Sequence, residues 1–253
     1  MNRVEEISIA AYRSSLAEDV VDLAGGAAAL RAPQAPESPM LNRIVALGVR
    51  EPATEDQLDA AMGAMTGLRY YVTISPAAGP AELTDWLTAR GFEPGWGWMQ
   101  FARDVGEVWA PPTSLDLVEI GPERADVFAA VVRTAFGLPA ALDAVTARTV
   151  TAEGWTCWIA YDGDEPAGAA ALFVEDGDAY LGLGGTLPEH RGKGSQSALL
   201  ATRIARAREL GCRAVYTETG EQRPDRPSGS YRNIVRAGFE ELYVVPNWIS
   251  PSR

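Results

Sequence analysis

Hydrophobic positions in the second half of the chain change their spacing several times, from every second residue to every third or fourth. Alternating runs predict strands at 115–120, 155–161, 165–174, 179–186, 214–218 and 241–245, and helical spacing predicts helices at 123–136, 140–150, 197–210 and through 233–235. The turns DGD at 162–164 and EDGD at 175–178 are typical of antiparallel hairpins. This half therefore predicts a mixed α/β fold.

The first half shows a similar pattern with weaker periodicity. Its apolar spacing predicts a helix near 9–30, a proline-rich loop at 31–39, strands at 41–49 and 69–75, and a helix at 81–90 that Gly91 closes. Thr54 precedes Glu55 and Asp56, which is typical of a helix N-terminus, so a further helix is expected to begin there. We expect helices and strands to alternate in this half as well.

Two segments resemble each other, LTARGFEPGWGWMQF at 87–101 and IVRAGFEELYVVPNW at 234–248. Each runs from a helix through glycine and Phe-Glu into an aromatic strand. This favours a duplicated unit, although helix–glycine–strand junctions are also common in unrelated folds. Paired prolines in DVGEVWAPPTS indicate a linker. We expect a first domain at 1–104, a linker at 105–114 and a second domain at 115–253.

The chain is acidic, with 34 Asp and Glu against 22 Lys and Arg and a formal net charge of −12. This charge repels phosphate backbones and anionic membrane surfaces, which argues against nucleic acid and membrane partners. It either serves solubility or concentrates cationic small molecules near the surface. No apolar run approaches the roughly 18 residues of a membrane span, and the N-terminus lacks a signal-peptide pattern. A cytoplasmic location is therefore expected.

Cys157 and Cys212 are the two cysteines of the chain. Their spacing is not that of a metal site, and two cysteines do not make a disulfide framework. We expect both to be small buried apolar residues, and we expect no metal.

The segment HRGKGSQ at 190–196 contains the only histidine and the only lysine of the chain. It lies between a predicted strand and a predicted helix, so the free N–H groups and the dipole of the helix favour an anion there. Arg191 and Lys193 add positive charge, while Gly192 and Gly194 allow left-handed turns and a close approach to the amides. The segment is predicted to bind phosphate, with no role for its histidine.

Two familiar phosphate loops do not fit this spacing. A P-loop requires glycine five positions before Gly192-Lys193, where the chain has Leu187. A dinucleotide fingerprint that starts at Gly182 or at Gly192 lacks its third glycine. Both alternatives are excluded.

The strand before the loop, AYLGLGGT at 179–186, has glycines at alternating positions. Gly182 and Gly184 leave one face bare, where an extended ligand with its own amides can pair with the backbone. Gly184 and Gly185 favour a bulge that separates this strand from its neighbour. A bulge packed beneath another helix is the structural alternative.

The segment TLPEHRGKGSQSALL at 186–200 resembles the acetyl-coenzyme A signature of the GCN5-related N-acetyltransferases (GNAT), Arg/Gln-x-x-Gly-x-Gly/Ala after a strand and a proline. Arg191 to Ser195 match the signature, and Gln196 replaces its usual small final residue. The resemblance extends over about 115–248, and the first half resembles the second half of the same fold without the basic loop. It implies two tandem GNAT-like units, each with a mostly antiparallel sheet flanked by helices, of which the N-terminal one is degenerate.

The resemblance also implies acetyl-coenzyme A as cosubstrate and direct attack of an amine on its thioester. It assigns three groups of residues to the cosubstrate. They are Gly184, Gly185 and Thr186 of the strand, Arg191, Gly192, Lys193, Gly194, Ser195, Gln196 and Ser197 of the loop and helix start, and Asn233 of the later helix.

Two residues are candidates for proton transfer. Glu218 ends a predicted central strand and is the candidate base, acting through water, with a solvated strand-end carboxylate as the alternative. The tyrosine usual in this family four residues before Gly-Phe is Ile234 here. Tyr231, about one helical turn earlier, is therefore the candidate acid, with packing at the surface or over the pocket as the alternative.

We therefore expect an N-acetyltransferase that moves an acetyl group from acetyl-coenzyme A to a primary amine of a small cationic metabolite. We expect a monomer or a homodimer. Because Gln196 and Ile234 depart from the family pattern, the alternative hypothesis is a non-catalytic protein that binds or senses acyl-coenzyme A.

Overall fold

The computed structural model of the chain describes residues 3–107, 112–225 and 228–252, so the linker predicted at 105–114 lies partly outside the described residues. One unit comprises the residues up to Met99 together with those from Val244, and the other comprises Gln100–Tyr243. Each unit has a sheet and helices, which confirms the predicted mixed α/β fold.

The helices are α1 (Arg3–Leu16), α2 (Glu55–Ala64), α3 (Leu83–Ala89), α4 (Ala125–Phe136), α5 (Asp143–Arg148), α6 (Ser195–Glu209) and α7 (Gly229–Arg236). The strands are β1 (Val20–Asp22), β2 (Ala28–Leu30), β3 (Arg43–Val45), β4 (Tyr71–Thr73), β5 (Glu93–Pro94), β6 (Trp98–Asp104), β7 (Asp116–Ile120), β8 (Trp155–Asp162), β9 (Glu165–Glu175), β10 (Asp178–Thr186), β11 (Ala214–Gly220), β12 (Glu240–Val245) and β13 (Asn247–Ile249).

The sheet of the first unit has the order β1-β2-β3-β4-β13-β5. Only β3 and β4 are parallel, and the crossover between them contains α2. Leu58 of this helix is fully buried together with Ile44 and Val72 of the two strands, so the amphipathic helix covers the parallel pair. The helix predicted after Thr54 is confirmed.

The single helix predicted near 9–30 is wrong. α1 ends at Leu16, and Ala17 has a positive φ of 47°. Gly25 and Gly26, with φ of 69° and 78°, then reverse the chain so that β1 and β2 pair antiparallel. All three residues of β2 are buried, so the apolar run that suggested a helix instead forms an inner strand of the sheet.

The sheet of the second unit has the order β12-β6-β11-β10-β9-β8-β7. The strands from β7 to β10 are antiparallel neighbours, and the hairpin turns predicted this pairing for β8, β9 and β10. β10 and β11 are parallel, and α6 forms the crossover between them. The strand that ends in glycines and the helix that follows the basic loop therefore lie at the centre of this unit.

Small side chains in β9 allow helices to pack closely on both faces of this sheet. Ala169 and Ala171 point to the side of α4, where they join a core with Phe128. On the opposite face, a methyl group added to Gly168 would meet Leu199 of α6 at 3.5 Å. This close packing fixes the position of α6 relative to β9 and β10.

The repeated segments end in matching strand pairs, but the two strands of each pair enter different sheets. β5 belongs to the first sheet and β6 to the second, whereas β12 belongs to the second and β13 to the first. Pro94 ends β5 and Pro246 separates β12 from β13, because proline has no N–H to donate to a ladder of backbone hydrogen bonds. The units therefore differ from the predicted division into 1–104 and 115–253, since the C-terminal strand completes the first sheet.

Candidate functional site

β10 and β11 run parallel and then separate toward their carboxyl ends. Their paired register ends at Leu181 with Thr217. On its other edge, β10 pairs with β9 up to Gly182 and again from Gly185, with an irregularity between them. Leu183, inside this bulge, has a φ of 53°, a conformation that leucine rarely adopts. The two strands thus continue to Thr186 and Gly220 without pairing to each other, and we call this unpaired region, with the strained bulge on one side, the V.

α6 begins beside this opening with its first N–H groups free of any side-chain cap. Its N-cap residue is Gly194, which has no side chain to accept from the helix. The N–H groups of Ser195, Gln196 and Ser197 therefore lack an acceptor within the helix. Gly192 and Gly194, with φ of 81° and 85°, give the loop a path that other residues rarely follow. The loop and helix start form a cluster of backbone donors suited to an anion.

The cations of the loop have different partners. Lys193 donates to the carboxylate of Asp162, which also lies 3.1 Å from Nδ1 of the buried His190. Lys193 and His190 hold the pKa of Asp162 below its usual range. The main chain of the loop is held as well, because the Thr113 hydroxyl donates to the Lys193 carbonyl at 2.9 Å. Arg191 is exposed, and its guanidinium has no partner among the residues that the structure describes.

Gln196, the departure from the family signature, connects α6 to α7. Its side-chain oxygen accepts from Asn233 Nδ2 at 2.6 Å, and its Nε2 donates to the hydroxyl of Ser230 at 2.8 Å. The side chain of Gln196 is therefore tied to α7, whereas its backbone N–H stays at the helix N-terminus. Asn233, predicted as a separate contact to the cosubstrate, is brought to the same site by this network.

Glu218 follows the last paired residue of β11, so it lies where the two parallel strands begin to separate. Its Oε2 accepts from Gln100 Nε2 of β6 at 3.1 Å. The carboxylate is thus held at the V from the neighbouring strand, and its role as base stays a prediction.

Tyr231 has a different environment. Its ring packs edge-on against Phe101, with 5.2 Å between the ring centroids. Burial raises the pKa of Tyr231 to about 12, and a hydrogen bond to the Glu241 carboxylate adds to this. The hydroxyl keeps its proton at neutral pH, and it is directed to Glu241.

Gly168 of β9 is a point of close approach between α6 and the sheet. A methyl group there would overlap the buried Ser195 hydroxyl and would come within 2.9 Å of the Gly185 carbonyl oxygen. Ser195 is the first residue of α6, and Gly185 resumes the β10 ladder, so both borders of the site depend on this glycine.

We expect Gly168→Ala to lower the free energy of unfolding by about 1–3 kcal/mol, because neither a backbone carbonyl nor a helix start can move without repacking. Urea denaturation measures this. Gly63→Ala in α2 is the control, since a methyl group there meets nothing within 4 Å and alanine favours the helix. Equal stability of Gly168→Ala and the wild type would contradict the packing described here.

The corresponding crossover in the first unit is closed by its own residues. Thr54 caps α2, since its Oγ1 accepts from the Gln57 N–H at 3.2 Å while the Gln57 side chain accepts from the Thr54 N–H at 3.0 Å. The preceding loop lies in backbone contact with Gly79, whose N–H donates to the Gly48 carbonyl at 2.9 Å. A methyl group on Gly48 would overlap the Gly79 carbonyl oxygen. This helix start therefore offers an anion fewer free donors than α6 does.

The structure brings most predicted site residues to one place. Residues 191–197, the glycines at 184 and 185 and Thr186 border the V on the α6 side, Glu218 borders it on the β11 side, and Asn233 joins through Gln196. Tyr231 is directed elsewhere. Sequence reasoning missed Asp162, Thr113 and a buried arginine on α6. The acidic hairpin turn was a usable signal for Asp162, and the helical spacing that places the arginine on the apolar face of α6 was one for that residue, whereas Thr113 has none.

Cys157 and Cys212 are free and buried, as predicted, and burial raises the pKa of Cys157 to about 12. Within residues 3–107, 112–225 and 228–252, no cluster of His, Cys, Asp and Glu has the arrangement of a metal site. Among the helices described, none is both long enough and apolar enough to cross a membrane.

Residues 133–226 match the family described as "Acetyltransferase (GNAT) family". This segment contains the end of α4, the strands β8 to β11, the basic loop and α6. A search of curated proteins finds none that matches the chain.

Several solved structures resemble the chain over most of its length. A GCN5-related N-acetyltransferase from Kribbella flavida has a TM-score of 0.66 at 19% identity, covering 100% of this chain and 97% of that one. Another from Sphaerobacter thermophilus has a TM-score of 0.67 at 14% identity, covering 90% and 77%. A tandem GNAT protein from the clavulanic acid biosynthesis pathway has a TM-score of 0.58 at 18% identity, covering 90% and 79%.

At these identities the structures establish a shared fold, and the family match covers the segment with the loop, α6 and the diverging strands. The duplicated strand pairs agree with a tandem arrangement of that fold. Residues 133–226 therefore form a domain of the acetyltransferase (GNAT) family, and the chain as a whole shares the fold of GCN5-related N-acetyltransferases.

Proposed function

We propose that this protein transfers an acetyl group from acetyl-coenzyme A to a primary amine of a small cationic molecule. One observation carries the proposal: α6 starts at Gly194 without a side-chain cap, directly after a basic loop and beside two parallel strands that separate. The N–H groups at the start of α6 are donors for a diphosphate. The unpaired edge of β10 beside them can bind the extended, amide-containing arm of coenzyme A.

The residues of the second unit fit a diphosphate. Three free N–H groups at the start of α6 can each form a charge-assisted hydrogen bond of about 1.5–3 kcal/mol before desolvation, and the helix dipole adds about 0.3–1 kcal/mol. Arg191 is exposed and free to approach the phosphates, whereas Lys193 is shared with Asp162. Since Thr54 caps α2, we assign the cosubstrate to the second unit and propose that the first unit is degenerate.

The arm that carries the thioester would lie along the open edge of β10, with the backbone N–H groups near Gly184, Gly185 and Thr186 as donors. Acyl transfer forms a C–N bond to the amine and breaks the C–S bond, and the leaving thiolate takes up a proton. We propose that Glu218 removes the proton of the amine through water. The role of Tyr231 as proton donor requires its hydrogen bond to Glu241 to break, and its raised pKa makes it a weaker acid than free tyrosine.

The net charge of −12 supports a cationic acceptor, because an acidic surface raises the local concentration of protonated amines. An acceptor that arrives protonated also needs a base before it can attack, which is consistent with a carboxylate at position 218. Both considerations favour small polyamine-like or amino-sugar-like acceptors over neutral alcohols.

The proposal is tested by measuring release of free thiol from acetyl-coenzyme A with a broad panel of primary amines, alongside the melting temperature with coenzyme A. We expect a melting shift and thiol release with at least one cationic amine. A melting shift without thiol release across the panel would instead support the non-catalytic alternative. Absence of both would exclude the assigned cosubstrate.

A further inference from the structure

Arg203 is a charged residue in the interior of the second unit. It lies on α6, and only 3% of its surface is exposed. Burial lowers the pKa of its guanidinium to about 9, so it remains cationic at neutral pH. Among the described residues, the ionisable groups that act on this charge are Cys157 and Tyr180 rather than a carboxylate. A buried cation without a carboxylate partner costs free energy, so its retention calls for a specific role.

The guanidinium binds backbone carbonyls on both sides of the bulge. Nη1 donates to the carbonyl oxygens of Ala171 on β9 and Gly182 on β10, each at 3.1 Å. Nε donates to the Leu199 carbonyl of its own helix at 3.0 Å. Gly182 and Ala171 are paired with each other, and the bulge begins directly after them. Arg203 therefore links β9, β10 and α6 at the residue where β10 leaves its regular ladder.

These hydrogen bonds fix one peptide group in particular. The peptide between Gly182 and Leu183 is planar and trans, so the Leu183 N–H points away from the carbonyl oxygen that Arg203 holds. In the registers of the described strands, Leu183 pairs with neither β9 nor β11. A charged donor on the carbonyl oxygen also polarises the peptide and strengthens its N–H as a donor.

The strained backbone agrees with a fixed peptide. A leucine with a φ of 53° persists only where its surroundings hold it, and such residues cluster at functional sites. Space for a side chain is also limited, because a methyl group on Gly184 would lie 3.2 Å from Nη2 of Arg203. The guanidinium, the bulge and the glycine therefore form one packed unit at the V.

We propose that Arg203 is a positioning residue for acyl transfer, which holds the Gly182–Leu183 peptide so that its N–H meets the thioester oxygen as negative charge develops there. This inference rests on the proposed function. Arg203 itself touches no substrate and acts through the peptide that it holds. By donating to the carbonyl oxygens of Ala171 and Gly182, the guanidinium of Arg203 holds the bulge in place. The same positive charge polarises the Gly182–Leu183 peptide and so strengthens the Leu183 N–H as a donor.

The test compares Arg203→Met and Arg203→Lys with the wild type, and Arg208→Met, an exposed arginine of the same helix, is the control. We expect Arg203→Met to lower kcat about 100-fold, which is the usual cost of losing one oxyanion donor, while the Kd for coenzyme A stays unchanged. Lysine should restore part of kcat, because it keeps a buried charged donor. Wild-type kcat in Arg203→Met, or an equal loss in kcat and in coenzyme A binding, would overturn the proposal.

A binding measurement separates this inference from the proposed function. A ketone analogue of acetyl-coenzyme A, with a methylene group in place of the sulfur, keeps the carbonyl oxygen but cannot transfer its acetyl group. We expect the wild type to bind this analogue more tightly than coenzyme A, and Arg203→Met to lose that difference. A wild type that shows the difference but no turnover contradicts the proposed function alone. A difference retained in Arg203→Met contradicts the role of Arg203 alone.

Gly184→Ala provides a second route if the methionine variant does not fold. Its methyl group would press on Nη2 while the charge and the helix remain, and the glycine does not have a left-handed φ that alanine would resist. We expect kcat to fall and the tighter binding of the ketone analogue relative to coenzyme A to be lost. Unchanged kcat in this variant counts against the proposal.

Discussion

Arg191→Glu is expected to raise the Kd for coenzyme A about 100-fold and to abolish the melting shift that coenzyme A gives. The guanidinium of Arg191 is exposed and available to bind a phosphate, whereas Lys193 is bound to Asp162. A charge-assisted hydrogen bond to the phosphate contributes about 1.5–3 kcal/mol. Reversing the charge also repels the phosphates, so the loss lies at the upper end of that range, which corresponds to about two orders of magnitude. Isothermal titration with coenzyme A measures it.

Two controls make this result specific. Arg208→Glu makes the same charge change at the other end of α6, where we expect little effect on binding because exposed charges are screened within about 10 Å at moderate salt. Pantetheine, which lacks the diphosphate, should bind Arg191→Glu as it binds the wild type. If Arg191→Glu binds coenzyme A with wild-type affinity, the loop does not hold the diphosphate.

The elements of the second unit were predictable from sequence because their signals are local. Hairpin turns at 162–164 and 175–178 define three antiparallel strands, and Gly194 and Gly211 bracket one helix. The phosphate-binding loop was predictable for the same reason, since its glycines, its charges and the helix after it lie within a few consecutive positions.

The interactions that organise the site join residues far apart in the chain. Arg203 reaches Ala171 and Gly182, and the helical spacing, which places this arginine on the apolar face with Leu199 and Ala207, does not show which groups it contacts. The hydrogen bond from Gln196 to Ser230 likewise depends on where α7 packs. Such contacts follow from tertiary packing, which a single sequence does not reveal.

The same limit explains where the observed fold differs from the prediction. Residues 9–30 were predicted as one helix because apolar residues of short buried strands can coincide with helical spacing. The domain division was drawn along the sequence, although β13 pairs with β4 and β5 of the first unit. The sequence showed the repeat of helix, glycine and Phe-Glu. It did not show that the final strand of each copy joins the sheet of the other unit.

Glu218→Gln is expected to lower kcat/KM for a strongly basic amine about 100-fold, which is within the usual range for loss of a general base. Glutamine keeps the size of the side chain, and its oxygen can still accept from Gln100 Nε2, so the strand edge should remain intact. Glu240→Gln on the exposed part of β12 is the matched control and should leave the rate unchanged.

The basicity of the acceptor decides whether Glu218 acts as a base or only shapes the V. A strongly basic amine arrives protonated and depends on a base, whereas a weakly basic amine is already neutral near pH 7 and can attack without one. The defect of Glu218→Gln should therefore shrink with the weaker amine. A defect of equal size for both amines would show that Glu218 holds structure rather than a proton. Because Gln100 fixes the carboxylate where β10 and β11 separate, we expect the dependence on amine basicity.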